Sequence, residues 1–493
     1  MTSAEELHHE GNHAGADDVP TNEASAPLST RPPRRAWEIT FLLVLLAALW
    51  GGYTFALLKV EESLSAFFLG RLIIPAVSLI VLLLWWAFLA PLSRRLRWIV
   101  LGLFAITLVA TVLSLHPSLN VMSLLMFGAP ACVTLWSGWL LLIPPQKPQL
   151  RVRGVILLNG LTGLVFCLLR VHGLTGDFSA EWDWRWNLSP EEQLIASGVE
   201  YPLPDGSASS DTGTLTLQPG DWPEFRGPNR DGVLRGVTIE TDWQTHPPKE
   251  VWRTTVGPGW SSFCIVDGHV FTQEQLGNQE LTVCRDAVTG DTKWVHADQT
   301  RFEEAIAGAG PRATPTFHNG QLFVQGANGL LSCLNAANGE VIWQQDVTKL
   351  TGATIPIWGF AASPLVHGDD ASGKKVTVFG GQDGKAVLTL SAATGEQLWT
   401  AGKGTFSYCS AQLSTVSDVP QLLFSTDFGL TSLEPNNGQI LWEHEWQIND
   451  IARIVQPCVL SGDDILIGTG LGPGTRRIHV EHAGDDWRTT EVW

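Results

Sequence analysis

No two cysteines in this chain of 493 residues are adjacent, none form a Cys-x-x-Cys pair, and the seven present are scattered. That pattern rules out a zinc-ligand spacing, and an odd number leaves at least one thiol outside any disulfide framework. Cys132 and Cys167 fall in apolar segments, and the other five fall on expected strands. Basic residues are also scarce: 31 Lys and Arg stand against 49 Asp and Glu, a formal net charge of −18. A duplex binder needs clustered cations to displace counterions, so nucleic acid is excluded as a partner. The acidic surplus reads as a solvated surface. No nucleophile elbow or Ser-His-Asp arrangement is present. The glycine run at 468–474 lacks a strand-to-helix setting and reads as a turn. His479 and His482, three apart on a strand, face opposite sides and are no metal pair.

Long apolar runs, by contrast, are plentiful. Residues 1–36 are polar and without apolar period, and read as a disordered cytoplasmic tail. Five runs follow, at about 39–58, 66–90, 98–115, 121–143 and 154–174, each near the length a helix needs to cross a bilayer. Residues 37–174 are therefore expected to be a five-helix transmembrane domain in contact with lipid. Arg31, Arg34, Arg35, Arg94, Arg95, Arg97, Lys147, Arg151 and Arg153 flank alternate ends of these runs. The positive-inside rule then places the N-terminus in the cytoplasm and everything after 174 outside the cytoplasmic membrane. Trp37, Trp98 and Trp136 suit interfacial anchoring. Arg71 lies within a run, near its end, where snorkelling accounts for it, and the middle of each run carries no Asp, Glu, Lys or Arg. Anchoring is favoured over transport on that ground.

Residues 175–220 read as a connector, with Trp182, Trp184 and Trp186 at the membrane surface and a loop-like stretch from about 202. Beyond it a phrase recurs: AVTGDTKW, AANGEVIW, AATGEQLW and PNNGQILW. In these, Gly290, Gly339, Gly395 and Gly438 each precede Trp294, Trp343, Trp399 and Trp442 by four residues. Short alternating strands around Asn-Gly and Asp-Gly turns lie before each phrase. A four-stranded unit of about 40 to 50 residues is a propeller blade. Glycine permits the left-handed turn, and the tryptophan is large enough to pack across to the neighbouring blade. These eight residues are expected to be structural.

The phrase A-x-T-G-x-x-x-W resembles the tryptophan-docking motif of the pyrroloquinoline quinone (PQQ)-like propellers, a superfamily of quinoprotein dehydrogenases and assembly lipoproteins of the BamB type. The segment DWPEFRGPNRDG at 221–232 is similar to the opening of a bacterial group of these propellers. The resemblance covers 221–493 and implies an all-β, PQQ-like propeller after the helical membrane domain. It also implies PQQ and calcium as cofactors in catalytic members, which stack the quinone on a vicinal disulfide and hold calcium through Glu, Asn and Asp. This sequence has no such disulfide and no cluster that aligns with those ligands, so no catalytic or metal residue is carried over. Four regular blades and a less regular fifth (454–487) are present, fewer than the usual number. A C-terminally incomplete chain, or closure by a partner, is the expectation that follows.

The strand opening each blade lines the central channel, and its residues are the candidate ligand groups. They include Trp260, Arg312, Trp358, Tyr408, Arg453 and Gln456, with Glu274, Glu303 and Glu304 from loops. Trp260, Arg312, Trp358, Arg453 and Gln456 form the expected channel-lining, cofactor-binding set; a water-filled channel is the alternative. Three functions are compatible with these features. The leading one is a membrane-anchored extracytoplasmic platform, expected in the periplasm, that binds or assembles other envelope proteins. A quinoprotein dehydrogenase feeding the membrane quinone pool is the second, and a sensor signalling through the spans is the third.

Overall fold

The computed structural model describes residues 34–59, 68–174, 180–198, 214–304, 307–369, 371–448, 453–460, 463–470, 473–484 and 486–493. The expected tail, with Arg31, and most of the loop-like stretch before 214 lie outside the described residues.

Among the described residues, five helices are long and apolar enough to cross a membrane: α1 (Arg34–Lys59), α2 (Leu69–Phe88), α3 (Arg94–Ser114), α4 (Val121–Leu142) and α5 (Pro148–Leu168). α2 begins with a π-helical turn, Leu69–Ile73, and α4 carries one at Leu124–Gly128 after its first turn. Pro75 and Pro130 follow directly. A proline ring clashes with the carbonyl four residues back, and the wider π turn relieves that contact.

The bundle core holds Leu49, Leu82, Trp86, Val133 and Trp136, all essentially inaccessible. Trp136 therefore does not anchor at an interface. Its ring packs between Trp86 and Phe104 at centroid distances of 5.8 and 5.5 Å. Trp37 and Trp98 are exposed. Arg71 does not snorkel either: its guanidinium donates to the Tyr53 hydroxyl at 2.7 Å and lies over that ring. An inward charge pair, Arg151 with Glu38, joins α5 to α1. Two opposite charges satisfied by each other cost far less in apolar surroundings than either would alone.

After α5 the chain forms an antiparallel pair, β1 (Leu169–Leu174) and β2 (Ala180–Trp184), then a short helix α6 (Pro190–Ala196). Ser189 and Glu192 form a reciprocal capping box at the start of α6.

Five four-stranded antiparallel units follow, each in simple sequential order. The first contains β3 (Cys264–Val266), β4 (His269–Leu276), β5 (Gln279–Asp286) and β6 (Thr292–Asp298). A two-residue pair, β7 (Glu303–Glu304) with β8 (Gly308–Ala309), precedes the second unit of β9 (Thr316–His318), β10 (Gln321–Gln325), β11 (Leu330–Asn335) and β12 (Val341–Asp346). A one-turn helix α7 (Val347–Thr351) leads to the third, β13 (Leu365–His367), β14 (Lys375–Gln382), β15 (Lys385–Ser391) and β16 (Gln397–Ala401). The fourth is β17 (Gln412–Val416), β18 (Val419–Ser425), β19 (Gly429–Leu433) and β20 (Ile440–Glu445). The fifth is β21 (Cys458–Val459), β22 (Asp464–Gly468), β23 (Thr475–Ala483) and β24 (Asp486–Glu491).

One contact joins consecutive units. A Cβ built on Gly339 would fall 2.5 Å from the ring of Trp294 in the preceding unit. Gly395 meets Trp343 at 2.7 Å and Gly438 meets Trp399 at 2.4 Å in the same way. Gly290 of the first unit receives Trp252, at 2.6 Å, from the segment before it. Trp252, Trp294 and Trp343 also donate their ring N–H to Ala287, Ala336 and Ala392, at 3.0, 3.1 and 2.8 Å. Trp442, in the fourth unit, donates instead to Gln421 at 2.8 Å.

Two further features recur beside each tryptophan. The ladder is irregular just after the position it faces, in all four units, and such bulges redirect a side chain. The residue opposite is small: Cys284, Cys333, Thr389 and Ser432. Two of the cysteines thus fill positions where other units use a hydroxyl residue of similar size.

This geometry predicts that Gly395→Ala lowers stability by about 3 kcal/mol, combining a strained positive φ with overpacking against Trp343. Gly384→Ala, at similar φ but in open space, is expected to cost only about 1 kcal/mol. Thermal unfolding of the two purified variants measures the difference, and equal losses would remove the ring contact as the cause.

Candidate functional site

The inner strands of the five units lie side by side, and a chain of hydrogen bonds steps across them. Ser262 N–H donates to the Thr314 hydroxyl at 3.2 Å, and Thr314 N–H to Ser363 at 2.9 Å. Ser363 N–H then donates to Ser410, and Ser410 N–H to the Gln456 side-chain oxygen, both at 2.8 Å. Each backbone donor of one unit is thereby satisfied by a side chain of the next, at a position where neighbouring strands are too far apart to form a ladder. Gln456 also accepts from the Cys409 thiol at 2.8 Å. It is a joint between units rather than an open ligand group.

At one end of these strands lies the segment 221–232. Trp222 exchanges two backbone hydrogen bonds with Ile265 of β3, and the Pro223 carbonyl accepts from Phe317 N–H of β9 at 2.8 Å. Buried Arg230 pairs with Glu224 at 2.6 Å and donates to the carbonyls of Pro364 and Ser363. Gln412 of β17 reaches the Asn229 carbonyl at 3.4 Å. The segment therefore crosses the inner strands of four units and covers that end. Burial raises the Glu224 carboxyl above its ordinary value, against the pull of Arg230.

The opposite end gathers three of the five candidate residues. Arg312 donates to the Gly308 carbonyl at 2.8 Å and to the Trp358 carbonyl at 3.4 Å, and pairs with Glu304 at 3.5 Å. Trp358 stacks on Tyr408 at 5.1 Å, and its N–H donates to the Tyr408 hydroxyl at 3.1 Å. Burial pushes that phenol up to about 12, so it stays protonated. Trp260 is held by its ring N–H on the Ala307 carbonyl and its backbone N–H on Pro311, both at 2.8 Å, yet it is 61% exposed.

Arg453 accepts from Tyr408 N–H through its carbonyl at 2.9 Å but turns its side chain away from this cluster. It is 1% exposed and directs its guanidinium at the carbonyls of Thr426, Gly468 and Trp446, with its face over the Trp446 ring at 4.5 Å. Burial lowers its pKa to about 10, and its donors are spent on backbone. His479 pairs with Asp464 at 2.8 Å and His482 stacks on Trp487 at 3.8 Å, so they serve separate contacts.

The Trp260 end opens beside a cleft of about 640 Å³ between the sheet region and the helix-proximal elements. His116, Arg170, His172, Glu191, Glu192 and Arg301 line it. Arg301 grips both oxygens of Glu191 at 2.8 and 3.1 Å, and the Gly277 N–H donates to the same carboxylate. The Ser189 backbone N–H, with Arg170, holds Glu192 down at about 2, and burial with Arg170 lowers His116. The cleft therefore carries fixed charges near neutrality.

Glu280 at the start of β5 is a functional candidate that strand patterning misses. It accepts from the Ala327 N–H of the second unit at 3.0 Å, and burial raises its carboxyl to about 7. The available signal was an acid on a strand buried at nearly every position. Quinone and calcium binding require several carboxylate or amide oxygens around one point. Among the described residues no three His, Cys, Asp or Glu side chains converge, and the seven cysteines are free. Arg312 is engaged by carbonyls and by Glu304.

No curated protein matches the sequence. Among solved structures, BamB from Moraxella catarrhalis is similar at 14% identity and TM-score 0.29, over 48% of this chain and 84% of that one. Quinohemoprotein alcohol dehydrogenase from Comamonas testosteroni aligns at 14% identity and TM-score 0.39, over 59% and 49%. A europium-containing methanol dehydrogenase aligns at 13% and 0.31, over 48% and 55%. The chain spans about half the length of these two dehydrogenases. A PQQ-repeat family model, described as outer membrane protein assembly factor BamB, matches residues 249–490.

Glu280 supplies a pH test. Below about pH 4.5 the carboxyl is protonated both folded and unfolded; above about 7 it is ionised in both, and the cost of burying the charge is complete. Stability is thus expected to fall as pH rises between these values, by about 3 kcal/mol at most. Glu280→Gln keeps the acceptor for Ala327 and should flatten that limb in melting curves taken from pH 4 to 8. Parallel curves for the two proteins would discount the burial.

Proposed function

We propose that this PQQ-like repeat protein is a membrane-anchored binding platform, in which the sheet units are propeller blades outside the cytoplasmic membrane that dock another envelope protein. The observation that carries the reading is Trp260: an exposed indole fixed by two hydrogen bonds beside a largely buried arginine. Rigid Trp and Arg groups dominate binding energy at protein interfaces because little side-chain entropy is lost on docking. Exposed Ile357 adjoins Trp358 at the same end. The family model's description as an assembly factor is consistent with this role.

The topology part of the proposal rests on basic residues flanking alternate helix ends, Arg34 and Arg35, Arg94 to Arg97, and Lys147 to Arg153. With five crossings the N-terminus is cytoplasmic and the sheet units are periplasmic. The tail, the five-helix domain, the connector and the propeller keep the bounds 1–36, 37–174, 175–220 and 221–493 in this scheme.

A photo-crosslinking amino acid placed at position 260 in cells is expected to give one discrete adduct. The same probe at exposed Leu413 should give none, and Ile357→Asp should weaken the adduct at least tenfold. No adduct at 260, or dye reduction with sugars or alcohols by protein reconstituted with PQQ and calcium, would overturn the platform reading in favour of a dehydrogenase.

Cys458 is the exposed thiol. A membrane-impermeant maleimide should therefore label intact spheroplasts, with the signal lost in Cys458→Ser. Labelling that requires lysis would invert the orientation.

A further inference from the structure

The helix bundle contains a cavity of about 180 Å³ between α3, α4 and α5. Asn159, midway along α5, lines it. This residue is 7% exposed and its amide makes no hydrogen bond among the described residues. Thr111 and Thr162 lie in the same wall, and Thr162 spends its proton on the Leu158 carbonyl one turn back. Apart from the Thr107 hydroxyl and the Cys132 thiol, the remaining lining is aliphatic and aromatic, with Phe104 and Phe166 among it. The opposite wall is the π-helical turn Leu124–Gly128. Such turns cost hydrogen-bond geometry and cluster at functional positions.

An amide left unpaired in apolar surroundings costs about 1–3 kcal/mol. In a helix bundle an apolar residue would have filled this place without that cost. A cavity of about 150 Å³ walled by apolar side chains stays dry and admits a single benzene ring. This one is of that size but carries the Asn159 carboxamide, able both to donate and to accept, with the Thr107 and Thr111 hydroxyls beside it.

From this geometry we infer that the cavity binds a neutral, lipid-soluble molecule whose ring-sized head carries one hydroxyl or carbonyl oxygen, with Asn159 as its hydrogen-bond partner. A charged head is excluded, because no counter-charge faces the cavity and an unpaired ion would be too costly there. Entry is from the bilayer, since the walls are the lipid-facing helices themselves. The inference is independent of the role proposed for the sheet region.

The test uses the full-length protein in lipid nanodiscs, with a diazirine-bearing alkylphenol as probe and the matching alkylbenzene without the hydroxyl as control. Saturable labelling of α3, α4 or α5 peptides by the phenol is expected, competed by unlabelled alkylphenol. Asn159→Leu should reduce that labelling at least tenfold while leaving the alkylbenzene signal unchanged, which also reports that the bundle is intact. Thr162→Val, whose hydroxyl already bonds backbone, should leave phenol labelling within twofold of the native protein. Labelling of Asn159→Leu at the native level, equal labelling by both probes, or unsaturable labelling would each overturn the site.

Discussion

The sheet region depends on one contact, an indole laid over a glycine of the next unit. It imposes three conditions at once. The glycine must have positive φ and no Cβ, the strand carrying the tryptophan must be bulged so the ring swings across, and the residue facing it must be small. All three hold around Trp294 and Trp343, where Gly339, Gly395, Cys284 and Cys333 supply the small partners. Truncating a buried Trp to Ala typically costs about 3–5 kcal/mol. A series of such joints is therefore enough to fix the order and spacing of the units. The hydroxyl chain from Ser262 to Gln456 is a consequence: only units held at constant spacing can present a hydroxyl to the neighbour's N–H each time.

The glycine and tryptophan spacing was legible in sequence because both residues are irreplaceable at their positions. The facing residue was not, because Cys, Cys, Thr and Ser share size and nothing else. Counting the cysteines as strand residues was correct for Cys284 and Cys333, but their reason for being there is visible only across the ladder. The same limit applies to the site. Trp260, Arg312 and Trp358 could be found from their places ahead of inner strands. Arg453 and Gln456 occupy comparable places, yet Arg453 spends its donors on carbonyls and Gln456 accepts from Ser410 N–H and the Cys409 thiol, contacts that the local sequence pattern does not reveal. Arg71 and Trp136 show the limit within the helices, since a position near a helix end does not say which way a side chain turns.

The helices and the sheet units meet through charge. Glu191 at the start of α6 holds Arg301 and the Gly277 N–H, while Arg170 of β1 holds Glu192 in the same turn. Arg185 binds the last carbonyls of α3 and α5. Such joints are directional and partly wet, unlike the apolar seams within the bundle and between units. The junction is thus the place where the two halves differ most in how they are held.

That difference bears on how a partner would reach Trp260. The segment 221–232 covers the far end of the inner strands, so access is from the Trp260 end, beside the charged cleft. A partner approaching there meets fixed carboxylates and guanidiniums first and the aromatic cluster of Trp260, Trp358 and Tyr408 second. The charges set orientation at low cost to specificity, and the desolvated aromatics set residence time. On the platform reading proposed above, this order would select partners that carry both a complementary charge pattern and an apolar anchor over molecules that offer only one of the two.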